Sequence, residues 1–239
     1  MRMSALLAFD TSTQQMSVGL MTGAQSWAHD APGGAQASAQ LLPTVMSMLH
    51  TAGIGLDQLD SIAFGRGPGA FTGLRTACAV AQGLALGAGK PVLGIDTLMA
   101  IAEDARQAAE SLDVWVTLDA RMDQLYVAQY LYANRRWKML YAPALIDPEA
   151  LNAIWMARPP QHVAGNGLSA LAGRLRTGAA HCHAEAAPRA SALLRLANSL
   201  WIDGAAMDAA SALPTYLRDK VAQTITERAA ARQAREGAR

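Results

Sequence analysis

GRGPGAFTGLRTACAVAQGLALGAG, residues 65–89, begins as a glycine-rich turn and continues as a run of small and apolar residues. Between residues 70 and 89 the only charged side chain is Arg75. A surface helix normally carries a polar stripe opposite its apolar one, and this run has almost none. We therefore expect a helix that is covered on nearly every side, by the rest of the chain or by a partner protein.

A second predicted helix, residues 38–52, has the same unusual composition. Its apolar face has helical spacing, Leu42 and Met46 extend that face sideways, and no Asp, Glu, Lys or Arg occurs in it. The residues on the apolar face are Leu41, Val45, Met48, Leu49 and Ala52. Two helices without a charged face indicate that a large apolar surface has to be covered.

The amino-acid composition limits the functional classes to which the protein can belong. Half of the 239 residues are hydrophobic, and 20 basic residues nearly balance 19 acidic ones. This balance gives no overall field that attracts nucleic acid, so any RNA contact has to be local or made by a partner. The two distant cysteines indicate reduced thiols, and the first apolar run, of about five residues, is too short for a signal peptide or membrane span. We expect a cytoplasmic protein without a membrane partner.

The first half of the chain reads as a mixed α/β sheet. A buried strand at residues 6–9 ends at Asp10 and is followed by a predicted hairpin at residues 16–28. Strands at 61–65 and 91–95 flank the central helix, a spacing that predicts parallel pairing through a right-handed crossover. Thr97 is expected to cap a further helix that extends to about Ala109.

The second half repeats this pattern. A strand at residues 113–118 ends at Asp119, and two further strands follow with Asn134 at their turn. The repetition predicts a duplicated fold with two related subdomains. We expect an N-terminal subdomain at residues 1–103, a smaller C-terminal subdomain at 104–218, and a frayed or partner-ordered tail at 219–239.

Two groups of residues are candidates for contact with a nucleotide or phosphate. Asp10, Thr11 and Ser12 follow the first strand, where they could meet a phosphate or its metal, or merely satisfy the backbone of a tight turn. Gly67, Gly69 and Thr72 precede the central helix and could form an anion-binding nest. Leu74 and Arg75 stand where a P-loop would have Lys and Ser or Thr, so a purely structural turn is the alternative.

No residue of the chain is identified as catalytic or metal-binding. The five histidines include no pair at the i, i+4 spacing that would place two imidazoles on one helix face. His181, Cys182 and His183 are expected in an exposed polar loop. No Gly-x-Ser-x-Gly nucleophile motif is present.

The central stretch closely resembles a known signature. GRGPGAFTGLRTACAVAQGLALGAGKPVLGIDTL resembles the Gly-Pro-Gly-Ser-Phe-Thr-Gly motif and following helix of the bacterial TsaB (YeaZ) family. LLAFDTSTQQMSVGL, SAQLLPTV, LDARMDQLYVAQY, AGNG and LPTYLRDKVA resemble further family segments in the same order. Ala37, Ala70 and Asp219 depart from residues that are common in the family. The resemblance extends from about Leu6 to Val221.

This resemblance implies an actin-like ATPase (ASKHA) superfamily fold: two related subdomains with mixed sheets flanked by helices. It implies a non-catalytic subunit of the complex that makes N6-threonylcarbamoyladenosine in tRNA. Such a subunit pairs with the catalytic TsaD and with the ATPase TsaE, forms a homodimer in isolation, and meets tRNA only through the complex. It holds no cofactor itself, although the complex can use ATP or ADP.

The partner surface implied by the resemblance is a bundle formed by the helices at residues 38–52 and 72–87. The interface residues expected on it are Leu41, Leu42, Val45, Met48, Leu49, Leu74, Cys78, Ala81, Leu84 and Ala85. One alternative function is an actin-like kinase that uses Asp10, Thr11 and Asp119 around ATP. Its second half would be short for sugar-binding and adenosine-binding insertions. A metallopeptidase is the third hypothesis.

Overall fold

The first of two mixed sheets is built around the strand that ends at Asp10. The structure is a computed structural model, and it describes residues 4–218. The central strand β1 pairs antiparallel with β2 and parallel with β4, which gives the order β3-β2-β1-β4-β5. The strands are β1 (Ala5–Asp10), β2 (Gln15–Thr22), β3 (Gln25–Pro32), β4 (Ser61–Gly67) and β5 (Val92–Asp96).

The second sheet has the same arrangement. Its central strand β6 pairs antiparallel with β7 and parallel with β9, in the order β10-β9-β6-β7-β8. The strands are β6 (Leu112–Asp119), β7 (Leu125–Ala133), β8 (Arg136–Ile146), β9 (His162–Ala164) and β10 (His181–His183). The predicted duplication of a mixed α/β fold is confirmed, because each strand of one sheet has a counterpart in the other.

Helices follow equivalent strands in the two halves. A helix follows the third, fourth and fifth strand of each sheet. They are α1 (Ala37–Ala52), α2 (Phe71–Ala88), α3 (Thr97–Arg106), α4 (Pro148–Ala157), α5 (Gly167–Ala170) and α6 (Ala190–Ile202). The helices predicted around residues 38–52 and 72–87 are confirmed, whereas α3 ends at Arg106, before the predicted Ala109.

Two helices cross between the halves of the chain. In α6, Leu193 packs in one apolar cluster with Leu6 of β1, so this late helix covers the first sheet. In α3, Ile101 packs with Val116 of β6 and so covers the second sheet. The sheets divide near the predicted boundary between residues 103 and 104. However, α3 and α6 each pack against the sheet on the other side of that boundary. The division into subdomains 1–103 and 104–218 stays a prediction.

The predicted helix cap at Thr97 is wrong. The Asp96 carboxylate caps α3 instead, because its Oδ1 accepts hydrogen bonds from the amides of Leu98 and Met99 at 2.8 and 3.1 Å. This is the usual N-cap arrangement, in which a side-chain oxygen satisfies amides of the first turn. The Thr97 hydroxyl is thereby free to donate to Asp10.

The segment at residues 181–183 is a strand and not the expected polar loop. β10 pairs in parallel with β9 and extends the edge of the second sheet. The His162 and His183 rings approach each other with Nδ1 and Nε2 3.1 Å apart, and burial lowers the pKa of both rings, so both favour the neutral form. The predicted tail at residues 219–239 lies outside the described residues.

Helix α2 lies unusually close to the end of β1. The Thr11 hydroxyl donates to the carbonyl of Gly73 at 2.7 Å. A Cβ on Gly73 would stand 1.8 Å from the carbonyl oxygen of Thr11, so only glycine allows this approach. Gly83, further along the same helix, has no atom within 4 Å of an added Cβ.

Replacing Gly73 by alanine is expected to destabilise the fold more than any surface change in α2. The clashing atom is backbone and cannot rotate away, so the loss should reach the upper end of the roughly 1–3 kcal/mol seen for overpacking. Gly83→Ala is the matched control, and it should be neutral or stabilising by up to about 1 kcal/mol because alanine favours helix. Urea unfolding followed by circular dichroism measures both. Equal stability of the two variants would contradict the close approach.

Candidate functional site

A cleft of about 320 Å³ opens between the two sheets, at the ends of their central strands. Ser12 follows β1, Gly69 follows β4, Asp119 ends β6, and Asn166 follows β9; all four line the cleft. In open sheets with parallel strands, this edge is where ligands commonly bind. The nucleotide contacts predicted above are therefore expected in this cleft.

Asp10 is held inside the protein by its own turn. One carboxylate oxygen accepts from the amide and hydroxyl of Ser12, both at 2.6 Å, and the other accepts from the Thr97 hydroxyl at 3.1 Å. A Cβ on Gly65 would lie 1.7 Å from Asp10 Oδ2, so the neighbouring strand also needs glycine. Burial raises the pKa of Asp10 above its ordinary value, and these hydrogen bonds offset only part of that rise.

Asp119, the counterpart of Asp10 in the second sheet, is partly exposed and lines the cleft. Its carboxylate accepts from the amide of Arg121 at 2.8 Å and lies 3.2 Å from the guanidinium of the same residue. Its own amide donates to Asn166 Oδ1 at 2.9 Å. The aspartate at the end of the central strand is therefore buried in the first half of the chain and accessible from the cleft in the second half.

The structure does not bring the six candidate nucleotide contacts into one site. Of these six, Ser12 and Gly69 line the cleft, while Asp10 and Thr11 are buried and engaged with protein groups. Gly67 faces the carbonyl of Thr215, which would be 2.7 Å from an added Cβ, and Thr72 is exposed on the first turn of α2. This packing favours the structural interpretation of the glycine-rich turn, while a nucleotide contact stays a prediction.

A segment close to the end of the described chain crosses the same cleft. The amide of Thr215 donates to the Arg66 carbonyl at 2.6 Å, and Tyr216 stacks on Phe71 with ring centroids 4.3 Å apart. Arg218 then reaches the carbonyl of Ala120 in the second half at 3.0 Å. The signal for this segment in the sequence was the family resemblance of LPTYLRDKVA.

A second candidate surface is the outward side of α1 and α2. Three large apolar side chains are exposed there, Leu42 at 44%, Met46 at 48% and Leu86 at 61%. Gly83 and Gly87 have open space where a Cβ would stand, so another backbone could approach α2 closely. We call these five residues the α1–α2 face. α1 has no charged side chain, and α2 has only Arg75.

Most of the predicted interface residues do not belong to this face. Eight of the ten are buried by the chain's own core: Leu41, Val45, Met48, Leu49, Leu74, Cys78, Ala81 and Ala85. Their helical spacing turns them toward the first sheet, where those of α1 join Phe9 and Phe64 in one cluster. The prediction that these eight are open to a partner is wrong. Leu42 is exposed and Leu84 is partly buried, so a contact through the two helices has to use their other side.

Metal-ligating groups do not converge in the part of the chain that the structure describes. No cluster of three or more His, Cys, Asp or Glu side chains with suitable geometry occurs between residues 4 and 218. Within the same range, none of the helices has the length and apolar composition needed to cross a membrane.

The duplicated sheets, each flanked by helices and opening onto a shared cleft, define an actin-like ATPase fold. A family model described as TsaD, tRNA N6-adenosine threonylcarbamoyltransferase, matches residues 24–226. The tRNA threonylcarbamoyladenosine biosynthesis protein TsaB of Escherichia coli K12 is 33% identical over 226 residues, covering 91% of this chain and 96% of that protein. The chain belongs to the TsaB (YeaZ) family.

Two further comparisons agree with this family. The protein of the same name from Haemophilus influenzae is 35% identical over 158 residues, 62% of this chain and 67% of that protein. A solved structure of YeaZ from Pseudomonas aeruginosa is 37% identical, with a TM-score of 0.82, and the match covers 90% of this chain and 100% of that one.

The buried carboxyl of Asp10 predicts a distinctive pH dependence. Because folding raises its pKa, the stability that the protonated form provides is present below about pH 4 and is lost as pH rises through the folded-state pKa. Asp10→Asn cannot ionise, so its stability relative to the wild type should increase with pH over that range. Urea unfolding from pH 4 to pH 8 measures the difference.

Asp10→Ala is the control for loss of the hydrogen bonds themselves. It leaves the buried donors of Ser12 and Thr97 unpaired, and because neither variant can ionise, it should be roughly 1–3 kcal/mol less stable than Asp10→Asn at every pH. If the wild type instead gained stability over Asp10→Asn as the pH rises, the carboxylate would be stabilised in its charged form, contrary to this account.

Proposed function

We propose that this chain is a non-catalytic subunit of the bacterial complex that makes N6-threonylcarbamoyladenosine in tRNA. It pairs with the catalytic subunit TsaD, and the ATPase TsaE joins the pair. The observation that carries this proposal is the α1–α2 face, an exposed apolar surface almost without charge on a member of the TsaB family.

Family membership supports the pathway. The Escherichia coli relative is named as a tRNA threonylcarbamoyladenosine biosynthesis protein, and this chain covers 96% of it. The family model that matches residues 24–226 describes a tRNA N6-adenosine threonylcarbamoyltransferase. Because the chain spans nearly the whole relative, the proposed role applies to all of it and not to one fragment.

The energetics of the α1–α2 face support pairing. Leu42, Met46 and Leu86 are 44%, 48% and 61% exposed, so removing the remaining surface from water would contribute about 1–2 kcal/mol for each, roughly half the value for a fully exposed side chain. Entropic costs of association offset much of this gain, so moderate affinity follows. Gly83 and Gly87 let a partner helix approach closely. A second copy of the chain can cover the same face when TsaD is absent, so we expect a homodimer in isolation.

The non-catalytic role is supported by the burial and hydrogen bonding of residues that a kinase would need to contact ATP. Both carboxylate oxygens of Asp10 accept hydrogen bonds inside the protein, and the Thr11 hydroxyl donates to Gly73. An actin-like kinase would use Asp10, Thr11 and Asp119 around ATP, and of these three residues only Asp119 lines the cleft. The chain therefore needs no cofactor of its own in this proposal, and ATP or ADP belongs to its partners. A cytoplasmic location follows from the proposed tRNA substrate.

Reconstitution tests the role directly. TsaD, TsaE, tRNA and threonylcarbamoyl-adenylate are combined with and without this chain, and threonylcarbamoyladenosine is measured. We expect product to fall sharply when the chain is omitted, and unchanged product would refute the proposal. ATP turnover by the isolated chain would instead favour the alternative, an active actin-like kinase.

Met46→Glu is expected to abolish pairing while the subunit stays folded. Met46 is exposed on α1, so the charge costs little in the monomer but would have to be buried against a partner, at a cost of several kcal/mol. Met156→Glu, on the exposed side of α4 at 81% exposure, is the matched control and should pair normally. Sedimentation velocity with and without TsaD measures both variants. Normal pairing by Met46→Glu would remove the α1–α2 face from the interface.

A further inference from the structure

A second cleft, of about 390 Å³, gathers arginines from three separate elements. It lies where α3 and α6 meet the turn between β7 and β8, and the aromatic rings of Tyr132 and Trp137 also line it. Its guanidiniums belong to Arg106 of α3, Arg135 and Arg136 of the β7–β8 hairpin, and Arg195 of α6. We call these four residues and their surroundings the arginine cleft.

The arginine cleft carries more positive charge than the chain as a whole. Four arginines and two carboxylates, Glu103 and Asp203, line it, which leaves a net charge of about +2 at neutral pH. The whole sequence has a formal net charge of only +1. Positive charge is therefore concentrated here and compensated by acidic residues elsewhere on the chain.

The buried Glu103 carboxylate binds two of the guanidiniums, those of Arg106 and Arg195. It also accepts from the indole N–H of Trp137 at 2.8 Å. Burial alone would raise the pKa of Glu103, but these hydrogen bonds together lower it, so the carboxylate stays charged. One carboxylate cannot neutralise two guanidiniums. Arg195 is partly exposed, and its second terminal nitrogen has no protein partner among residues 4–218.

The hairpin arginines are free to bind a ligand. Arg136 lies 3.4 Å from Asp203, but both side chains are exposed, and such a pair contributes only about 0–1 kcal/mol. Arg135 makes no hydrogen bond or ion pair with any residue between 4 and 218. An incoming anion would thus meet one unpaired guanidinium and one that is weakly held.

We propose that the arginine cleft binds the phosphodiester backbone of RNA, which deepens the proposed function and rests on it. Guanidinium forks match phosphate oxygens, and arginines set on different elements can engage successive phosphates along a strand. Four guanidiniums, spread from partly buried Arg106 to exposed Arg135, exceed what a single free phosphate group can engage. Such contacts position RNA without selecting its sequence.

The test is a double charge reversal, Arg135→Glu with Arg136→Glu, in the full complex with TsaD and TsaE. Fluorescence anisotropy measures binding of labelled tRNA at several salt concentrations. We expect at least a roughly tenfold loss of affinity at fixed salt and a shallower salt dependence, by about 0.9 in the logarithmic slope for each phosphate that the variant no longer binds. Arg158→Glu with Arg176→Glu, the same charge change on arginines outside the cleft, should leave affinity unchanged.

The outcomes separate this proposal from the proposed function. Sedimentation confirms that the variant still pairs with TsaD, and normal tRNA affinity of that complex would overturn the RNA assignment while leaving the subunit role intact. A second arm replaces tRNA by ATP; selective loss of ATP binding in the Arg135/Arg136 variant would assign the cleft to a free nucleotide and would also overturn it. Failure of the subunit role itself is detected separately, by unchanged threonylcarbamoyladenosine when the chain is omitted.

Discussion

The close approach of α2 to the end of β1 is the constraint on which the first half of the fold depends. Gly73 lies against the backbone of Thr11, and the Thr11 hydroxyl binds the Gly73 carbonyl. This contact fixes the first turn of α2 and thereby decides which side of the helix faces the sheet. Ala77 and Ala81 pack inward, and Leu86 is left in water. The exposed apolar face is thus a consequence of a backbone contact at the other end of the helix.

Duplication supplies two copies of one topology, but packing gives them different roles. Asp10 is sealed by its turn, whereas Asp119 remains on the cleft. The crossing helices add a further asymmetry: α6 returns from the second half to cover the first sheet and meets α3 on the way. That meeting places Arg195 beside Glu103, so the arginine cleft results from the same crossover that joins the two halves.

The strands, the duplication and the charge-free helices could be predicted from sequence because hydrophobic period and turn residues are local signals. The side of α1 that faces outward could not. Leu41 and Leu42, and likewise Val45 and Met46, are adjacent apolar residues, and only the position of the sheet decides which of each pair is buried. The arginine cleft left no local signal either, because its members are separated by up to about ninety residues and meet only in the folded chain. The prediction of a loop at residues 181–183 was wrong because a three-residue edge strand is too short to show the alternating hydrophobic pattern of a strand.

The two proposed contacts depend on different physical forces, so one subunit would make them independently. Burial of Leu42 and Met46 against a partner depends on apolar area, which salt does not screen and which sulfate or phosphate salts strengthen. Contact of Arg135 and Arg136 with phosphates depends on charge and on counterion release, which salt weakens steeply. Rising ionic strength should therefore release RNA while the protein pair persists. In the proposed function, a subunit built in this way would stay bound to its catalytic partner through successive rounds of substrate binding and release.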